Sequence, residues 1–513
     1  MTSVCVIGAG ISGLVTARTL QGDGFDVTIL ERRRNLGGVW DPDVSYPGVT
    51  TQTVKEQYAF SELPMPADWP DWPSGAQVHD YLTTYAQRFG VADLIHYGVQ
   101  VTDVRRDDAA DHWVVSTASS DGVVDLRFDK VVVCTGVFCQ PCVPALPGAA
   151  AFESAGGRIL HSSQVLSEAD LAGKNVAIVG FQKSATDVAM LSSRVAESTN
   201  VLYRTLLWKL PKRVGGLVHQ RYLLYSRMTR RMLTPTSASR AARVRYRLLR
   251  PFTWLQWRTV EAILNRQNSL KKVGLYPDRP IDVQIGCALS EAPDGYYKLI
   301  NDGVIQMQQT DTVGLDTGHV VLHSGHRIPC DVVVLATGWS QTPEFFGASL
   351  SSRIVDAEGN FRLYRNVIAP GVDGLGFIGF GGGIFCQLTA EVGAAWLSSL
   401  WRGRFELPEE TVQLDRLDER INWLRDTRPD DLERFRNTCV APFEFDYLDD
   451  LLKDMGLRTR RTHNAFWEMV KPLNPADYAH ILEPVRPATA DNVTGQRRRL
   501  LAVHETAIAA DLP

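Results

Sequence analysis

Four short stretches constrain this chain more than anything else in it. Val4–Ile7 runs into Gly8-Ala9-Gly10-Ile11-Ser12-Gly13 and a helix-like segment to about Gln21. Asn175–Val179 runs into Gly180-Phe181-Gln182-Lys183-Ser184-Ala185-Thr186-Asp187 and a second such segment through Met190. Two further apolar strands end in the same dipeptide, one at Thr135-Gly136 and one at Thr337-Gly338. Strand, glycine turn and helix in succession build a parallel α/β unit. The alternation of glycine turn and Thr-Gly, twice over, predicts an α/β chain with two Rossmann-like dinucleotide-binding domains, the second inserted in the first. A helical insert and a C-terminal region complete it.

The expected divisions are 1–160 for the first part of the first domain and 161–335 for the second domain, with a basic helical insert at about 210–280. Residues 336–404 return to the first domain, and 405–513 form a mostly helical, acidic C-terminal region. The 513 residues allow about three such units at roughly 100–200 residues each. With 44% hydrophobic and 22% charged residues, disorder and collagen are excluded. No apolar run reaches the roughly 18–20 residues of a membrane span.

The formal net charge of −4 argues against nonspecific nucleic-acid binding, but it hides two opposed regions. Fourteen Lys and Arg lie between Arg204 and Arg258 with no Asp or Glu, whereas Arg402–Asp454 is acidic. The basic segment admits three readings: a face paired with the acidic region, a dock for a carboxylate-bearing substrate or acidic carrier protein, or a basic amphipathic patch on an anionic membrane. Pro251 is expected to break any single long helix there. Tyr222, Tyr225, Tyr246, Trp254 and Trp257 read as core. Eight cysteines are too sparse for a disulfide framework, so reduced thiols and a cytoplasmic chain without a leader are expected.

At the first turn, Gly8 permits the tight bend, Gly10 lets backbone approach a pyrophosphate, and Gly13 lets the helix pack on the strand. The helix N-terminus then faces phosphate with its partial positive charge. Glu31, at the end of Val27–Leu30, suits ribose hydroxyls and repels a 2′-phosphate, so FAD or NAD is expected there. At the second turn Gly180 is kept, while Gln182 and Ala185 replace the other two glycines; Lys183 and Ser184 compensate with charge and a hydroxyl. Arg204 ends the following strand in the place Glu31 takes in the first unit, which favours NADPH over NADH.

The run Glu31-Arg32-Arg33-Arg34-Asn35-Leu36-Gly37-Gly38-Val39-Trp40 resembles the FAD-binding segment of the flavin-containing monooxygenases. Gln52-Thr53-Val54-Lys55 and Phe60-Ser61-Glu62-Leu63-Pro64 resemble its flavin-side segment. The family's identifying sequence aligns with Ala155 to Val165. Gly157 and His161 are kept there, and both aromatic positions are lost, to Ala155 and Val165. Leu335-Ala336-Thr337-Gly338-Trp339 and the stretch from Phe377-Ile378-Gly379 through Gln387, Glu391 and Trp396 to Gly403 and Leu407-Pro408 match further family segments. Gln52, where an Asn is usual, and the second turn look closer to the plant and fungal amine-hydroxylating branch.

The resemblance implies an FAD- and NADPH-dependent monooxygenase that uses a flavin C4a-hydroperoxide to oxygenate the nitrogen or sulfur of a small amine or sulfide with O2. It implies cofactor contacts at Gly8, Ala9, Gly10, Ile11, Ser12, Gly13, Glu31, Gly38, Val39, Trp40, Thr51, Thr53, Gly136, Thr337, Gly338 and Gln387. For the second dinucleotide it implies Gly180, Lys183, Ser184, Ala185, Thr186, Asp187 and Arg204. Gln52 is the candidate catalytic amide, and His161 a structural tie between the two domains. No metal site is expected. The partners expected are the small molecule and O2, with an acidic carrier protein and a homodimer also admitted. The alternatives are a Baeyer–Villiger monooxygenase on a ketone, disfavoured by Val165, a disulfide reductase using Cys139 and Cys142, and a non-catalytic flavoprotein.

Overall fold

The computed structural model describes residues 1–107, 109–120, 122–233, 240–286, 289–311 and 313–486. Its frame is a pair of parallel five-stranded sheets. The first runs, in spatial order, Leu375–Phe377, Lys130–Val133, Ser3–Ile7, Asp26–Glu31 and Ile95–Tyr97. The second runs Ile305–Gln309, Ser198–Tyr203, Asn175–Val179, Val332–Leu335 and Arg158–His161. Their central strands, rich in Val and Ile, are covered on both faces, as parallel sheets require. The strand Leu375–Phe377 rejoins the first sheet after the second is complete, which makes the second domain an insertion.

The two units repeat each other closely. In each, a three-stranded antiparallel meander precedes the strand that ends in Thr-Gly: Gln100–Asp107, His112–Ser119 and Gly122–Phe128 in the first, Val313–Asp316, His319–Leu322 and Arg327–Pro329 in the second. The chain crosses between units where Gln140–Pro141 pairs antiparallel with Trp339–Ser340. Arg158–His161 is an edge of the second sheet, so the crossing falls well before residue 160. The expected boundary is corrected accordingly.

The insert packs on the core of the second unit through Trp208, Trp257, Val260 and Leu264. The C-terminal helices, as far as they are described, pack on the first unit through Phe445, Leu448, Leu451 and Leu482. Arg227 and Arg230 of the insert reach the acidic helix Glu444–Asp454: Arg227 pairs with Asp449 at 2.6 Å, and Arg230 pairs with Asp446. Arg279 pairs with Asp430. The opposed charges of the sequence are therefore partly joined in one interface.

Three expectations are corrected. Pro251 does not end its helix, which runs from Arg240 to Asn268. The proline is exposed, where water can satisfy the carbonyl it leaves without a donor. Tyr225 and Trp257 are buried, but Tyr222 and Trp254 are exposed. Cys439 is disulfide-bonded, while Cys5, Cys134, Cys139, Cys142, Cys330 and Cys386 are free thiols.

Candidate active site

The first glycine turn is shaped by backbone contacts that side chains would destroy. Gly8 has φ +106°, and its amide donates to Leu30 O at 2.9 Å. A Cβ at Gly13 would lie 1.8 Å from the Gly8 carbonyl oxygen, and one at Gly10 would lie 3.5 Å from Gly38 Cα. Gly37 donates to Ala9 O at 2.9 Å, so the Gly-Gly pair is seated against the turn. From the return segment, a Cβ at Gly379 would meet Ser12 Oγ at 2.4 Å and lie 3.7 Å from Gly136 Cα. Residues far apart in sequence thus converge into one glycine-walled cradle, open at the N-terminus of the helix Ile11–Gly22.

Glu31 is buried and accepts from Ala9 N at 2.7 Å and Arg33 N at 2.9 Å. Those bonds fix the carboxylate beside the turn and leave lone pairs for ribose hydroxyls. Trp40 is buried, donating to Tyr58 OH at 3.0 Å, while Val39 is exposed. Thr51 Oγ1 donates to Thr53 O at 2.8 Å. Two buried polar atoms on the flavin-side segments have no partner, Thr53 Oγ1 and Gln387 Nε2. Unpaired buried groups are costly, and the polar edge of a flavin would supply what they lack. The cradle and these two atoms fit FAD, which Gly8, Gly10, Gly13, Glu31, Gly38, Thr53 and Gln387 would hold.

The second turn repeats the first. Gly180, at φ +137°, donates to Leu202 O at 2.9 Å, and Ala336 N donates to Val179 O at 2.9 Å. A Cβ at Gly180 would meet Ala336 O at 2.5 Å. Ala185 and Thr186 are buried in the helix Lys183–Val195; Ser184 is half-buried. Lys183 is ion-paired with Asp187, which also accepts from Tyr46 OH at 2.9 Å. Lys209, buried beneath the turn, donates to Phe181 O at 2.5 Å. Thr337 Oγ1 donates to Cys142 O at 2.5 Å.

The repeated hydrogen bonds fix the equivalence of the two ribose-side strands. Leu30 matches Leu202, so the counterpart of Glu31 is Tyr203 and Arg204 comes one residue later. The expected placement of Arg204 shifts by that residue. Arg204 is exposed at the end of Ser198–Tyr203, and no carboxylate stands at the Glu31 position to repel a 2′-phosphate. We expect Arg204→Ala to raise the KM for NADPH about ten- to a hundredfold, the worth of a charge-assisted hydrogen bond of roughly 1.5–3 kcal/mol, and to leave NADH kinetics unchanged.

Gln52 is exposed, and its carbonyl accepts from Gln220 Nε2 of the insert at 3.4 Å. The same Gln220 amide donates to Glu291 at 2.7 Å, and Trp72 Nε1 donates to Glu291 at 2.9 Å. No sequence motif marks Tyr46, Gln220, Glu291 or Trp72; their contacts span 71 to 219 residues. Burial pushes the Glu291 carboxyl up to about 7. A carboxyl raised from 4.5 to about 7 on folding adds stability below 4.5 that is lost as the pH rises through 7. The melting temperature of Glu291→Gln relative to the parent is therefore expected to climb as the pH goes from 4.5 to above 7.

His161 spans the crossing, its Nε2 3.1 Å from Gly338 O and its Nδ1 2.8 Å from Ser163 Oγ. Cys139 and Cys142 are free thiols beside that crossing. Burial pushes the Cys139 thiol up, and its Sγ lies 2.9 Å from Gly136 O. A protonated, buried thiol is a poor redox nucleophile. Among the described residues no group of three His, Cys, Asp or Glu could hold a metal.

The comparisons agree with this geometry. The chain is 27% identical to the "Probable flavin-containing monooxygenase 1" of Arabidopsis thaliana, over 93% of this chain and 96% of the relative. It superposes on an S-allyl-L-cysteine S-oxygenase from Allium sativum with TM-score 0.60 at 20% identity, covering 98% of each chain. It superposes on a cyclohexanone monooxygenase variant from Rhodococcus sp. Phi1 bound to NADP+ with TM-score 0.60 at 19% identity, covering 78% of this chain and 85% of that one. The model of the flavin-binding monooxygenase-like family matches residues 1–460. With two glycine turns, one built for each dinucleotide, and a family match over nine-tenths of its length, this chain belongs to the flavin-binding monooxygenase-like family.

Proposed function

We propose that this FAD- and NADPH-dependent monooxygenase oxygenates the nucleophilic nitrogen or sulfur of a small amine or sulfide, with Gln52 as the protein amide at the reacting centre. FAD reduced by NADPH supplies the electrons and, with O2, the oxygen-transfer chemistry. The chain supplies position and shelter. Glu31 holds a ribose, the glycine turns admit two pyrophosphates, and Gln220 holds the Gln52 backbone while leaving its side chain exposed. That last observation carries the reading: a hydrogen-bonding amide presented from the flavin-side loop. Oxygen transfer to a soft nucleophile needs no acid–base pair.

A small cleft lies between the insert, the return segment and the C-terminal region. Its wall includes Tyr225, Ile384, Phe385, Pro442 and Phe445, with Arg230 and Glu444 as charged members. Its mostly apolar wall with few polar groups is the kind of surface that a small organic substrate meets. Arg230 is already paired with Asp446, which supports a free small molecule over one presented by an acidic carrier protein. A ketone reaction is not favoured, because the position of the missing aromatic is the fully buried core residue Val165.

Gln52→Ala is expected to keep NADPH oxidation within about threefold while most of the reducing power is lost to hydrogen peroxide. The amide is worth about one hydrogen bond, 0.5–1.5 kcal/mol. Parallel measurement of NADPH consumed, peroxide released and oxygenated product checks this. Unchanged coupling and yield would remove Gln52 from the site.

A further inference from the structure

Gln52 is carried by two antiparallel stretches of the first domain. Thr50 bridges to Ser74, Thr51 N donates to Pro73 O at 3.1 Å, and Lys55 N donates to Asp71 O at 2.7 Å. Gln52 and Trp72 therefore face each other across one short ladder. The Gln52 side chain is exposed, so its place depends on where its backbone is held.

That backbone is held from the second domain. Gln220 opens the helix Gln220–Leu224 and is buried. Its amide nitrogen has two hydrogens, one for each of two acceptors. They are Gln52 O at 3.4 Å and Glu291 Oε2 at 2.7 Å. The longer contact is too weak to fix a loop alone, and the shorter one aims the amide. The same Glu291 oxygen accepts from Trp72 Nε1 at 2.9 Å. One carboxylate oxygen thus grips both sides of the ladder, one side directly and the other through Gln220. His219 stacks on the Trp72 ring at 5.2 Å, and Lys212 Nζ lies 4.8 Å from the ring centroid.

Glu291 is tied in turn to the second glycine turn. Ser290–Glu291 pairs in parallel with Lys209–Leu210. Lys209 Nζ donates to Ser290 Oγ at 3.1 Å and to Phe181 O of the turn at 2.5 Å. Hydrogen bonds and one peptide link therefore run from the second dinucleotide turn to the Gln52 backbone. Gln220 and Glu291 are both buried, so water does not readily replace an acceptor lost between them.

We propose that Glu291, acting through Gln220 and Trp72, is a positioning residue that sets the Gln52 amide at the reacting centre, which rests on the reading of Gln52 given above. Both bonds need an acceptor oxygen and not a charge, so Gln serves at this position and Leu does not.

The test uses FAD-loaded full-length enzyme and NADPH, with methyl phenyl sulfide and N,N-dimethylaniline as oxygen acceptors. NADPH consumed, peroxide released and oxygenated product are measured together. Gln220→Met and Glu291→Leu are each expected to lower product per NADPH about two- to tenfold, the worth of one hydrogen bond, with the difference released as peroxide. Glu291→Gln should stay within about twofold of the parent, and the KM for NADPH should stay within about twofold in all three. Loosened packing between the domains would raise that KM as well. Gln52→Ala should add little to the loss in Gln220→Met, because both displace the same amide. If Glu291→Leu purifies without flavin, Gln220→Met decides. Full coupling in Gln220→Met while Gln52→Ala is uncoupled would overturn the proposal and leave the Gln52 reading standing. Losses that add in the double variant would overturn it too, as would Glu291→Gln as uncoupled as Glu291→Leu. Unchanged coupling in Gln52→Ala, or a parent that yields only peroxide with both acceptors, would remove the Gln52 reading and this proposal with it.

Discussion

Gly13→Ala is expected to yield protein that purifies without flavin and oxidises NADPH at background rate. The methyl would lie 1.8 Å from the Gly8 carbonyl oxygen, far inside contact distance and against backbone that cannot rotate away. Relief requires the helix Ile11–Gly22 to move off the strand Ser3–Ile7, and that shift carries the phosphate-facing amides with it. Overpacking costs roughly 1–3 kcal/mol, which corresponds to a five- to hundredfold loss of FAD affinity before the misplaced amides are counted. Flavin absorbance per mole of purified protein reads the effect directly. Thermal unfolding with and without added FAD separates lost binding from lost folding: the variant should keep a cooperative transition and lose the FAD-dependent rise.

Arg227→Met is expected to have the largest effect on stability. The Arg227 guanidinium pairs with Asp449 and Glu468, both at 2.6 Å, donates to Thr459 O at 2.8 Å, and stacks 4.7 Å over the Phe445 ring. Removing it leaves the part-buried Asp449 without its cation, whereas Glu468 keeps Arg461 at 3.2 Å. Breaking one side of a fully buried pair costs roughly 3–5 kcal/mol; this part-buried one should cost less, yet still a sizeable part of the roughly 5–15 kcal/mol that a folded protein typically has. Because Arg227 joins the insert to the C-terminal helices, the loss should appear as early release of that region. Limited proteolysis should therefore cut first between residues 440 and 480. Adding Asp449→Asn should restore part of the stability, since the stranded carboxylate is then gone.

What the sequence discloses and what it hides follow from the range of the forces involved. The two glycine turns are legible because each is a local steric demand written in consecutive residues, and Gly8, Gly13 and Gly180 make the close approaches that the motifs imply. The Arg204 offset is not legible, since one residue of strand register decides it and only the hydrogen bonds of Gly8 and Gly180 reveal that register. The meanders before each Thr-Gly strand carry no motif of their own. Tyr46 and Gln220 reach the site by contacts across 141 and 168 residues, which no local pattern encodes. Pro251 and Trp254 mislead for the same reason: rules for an average proline or tryptophan assume a buried helix, and this one turns both toward solvent.

The proposed reaction transfers one oxygen atom from O2 to a nitrogen or sulfur at the expense of NADPH. The most direct test supplies the enzyme with NADPH, an 18O2 atmosphere, and an equimolar mixture of an amine, a sulfide and a cyclic ketone, then weighs the products. A single 18O atom in the hydroxylamine or sulfoxide, one NADPH consumed per product, and ketone recovered unchanged are expected. An 18O-labelled lactone as the main product, or NADPH oxidation that yields only peroxide with every member of a broad amine and sulfide panel, would contradict it.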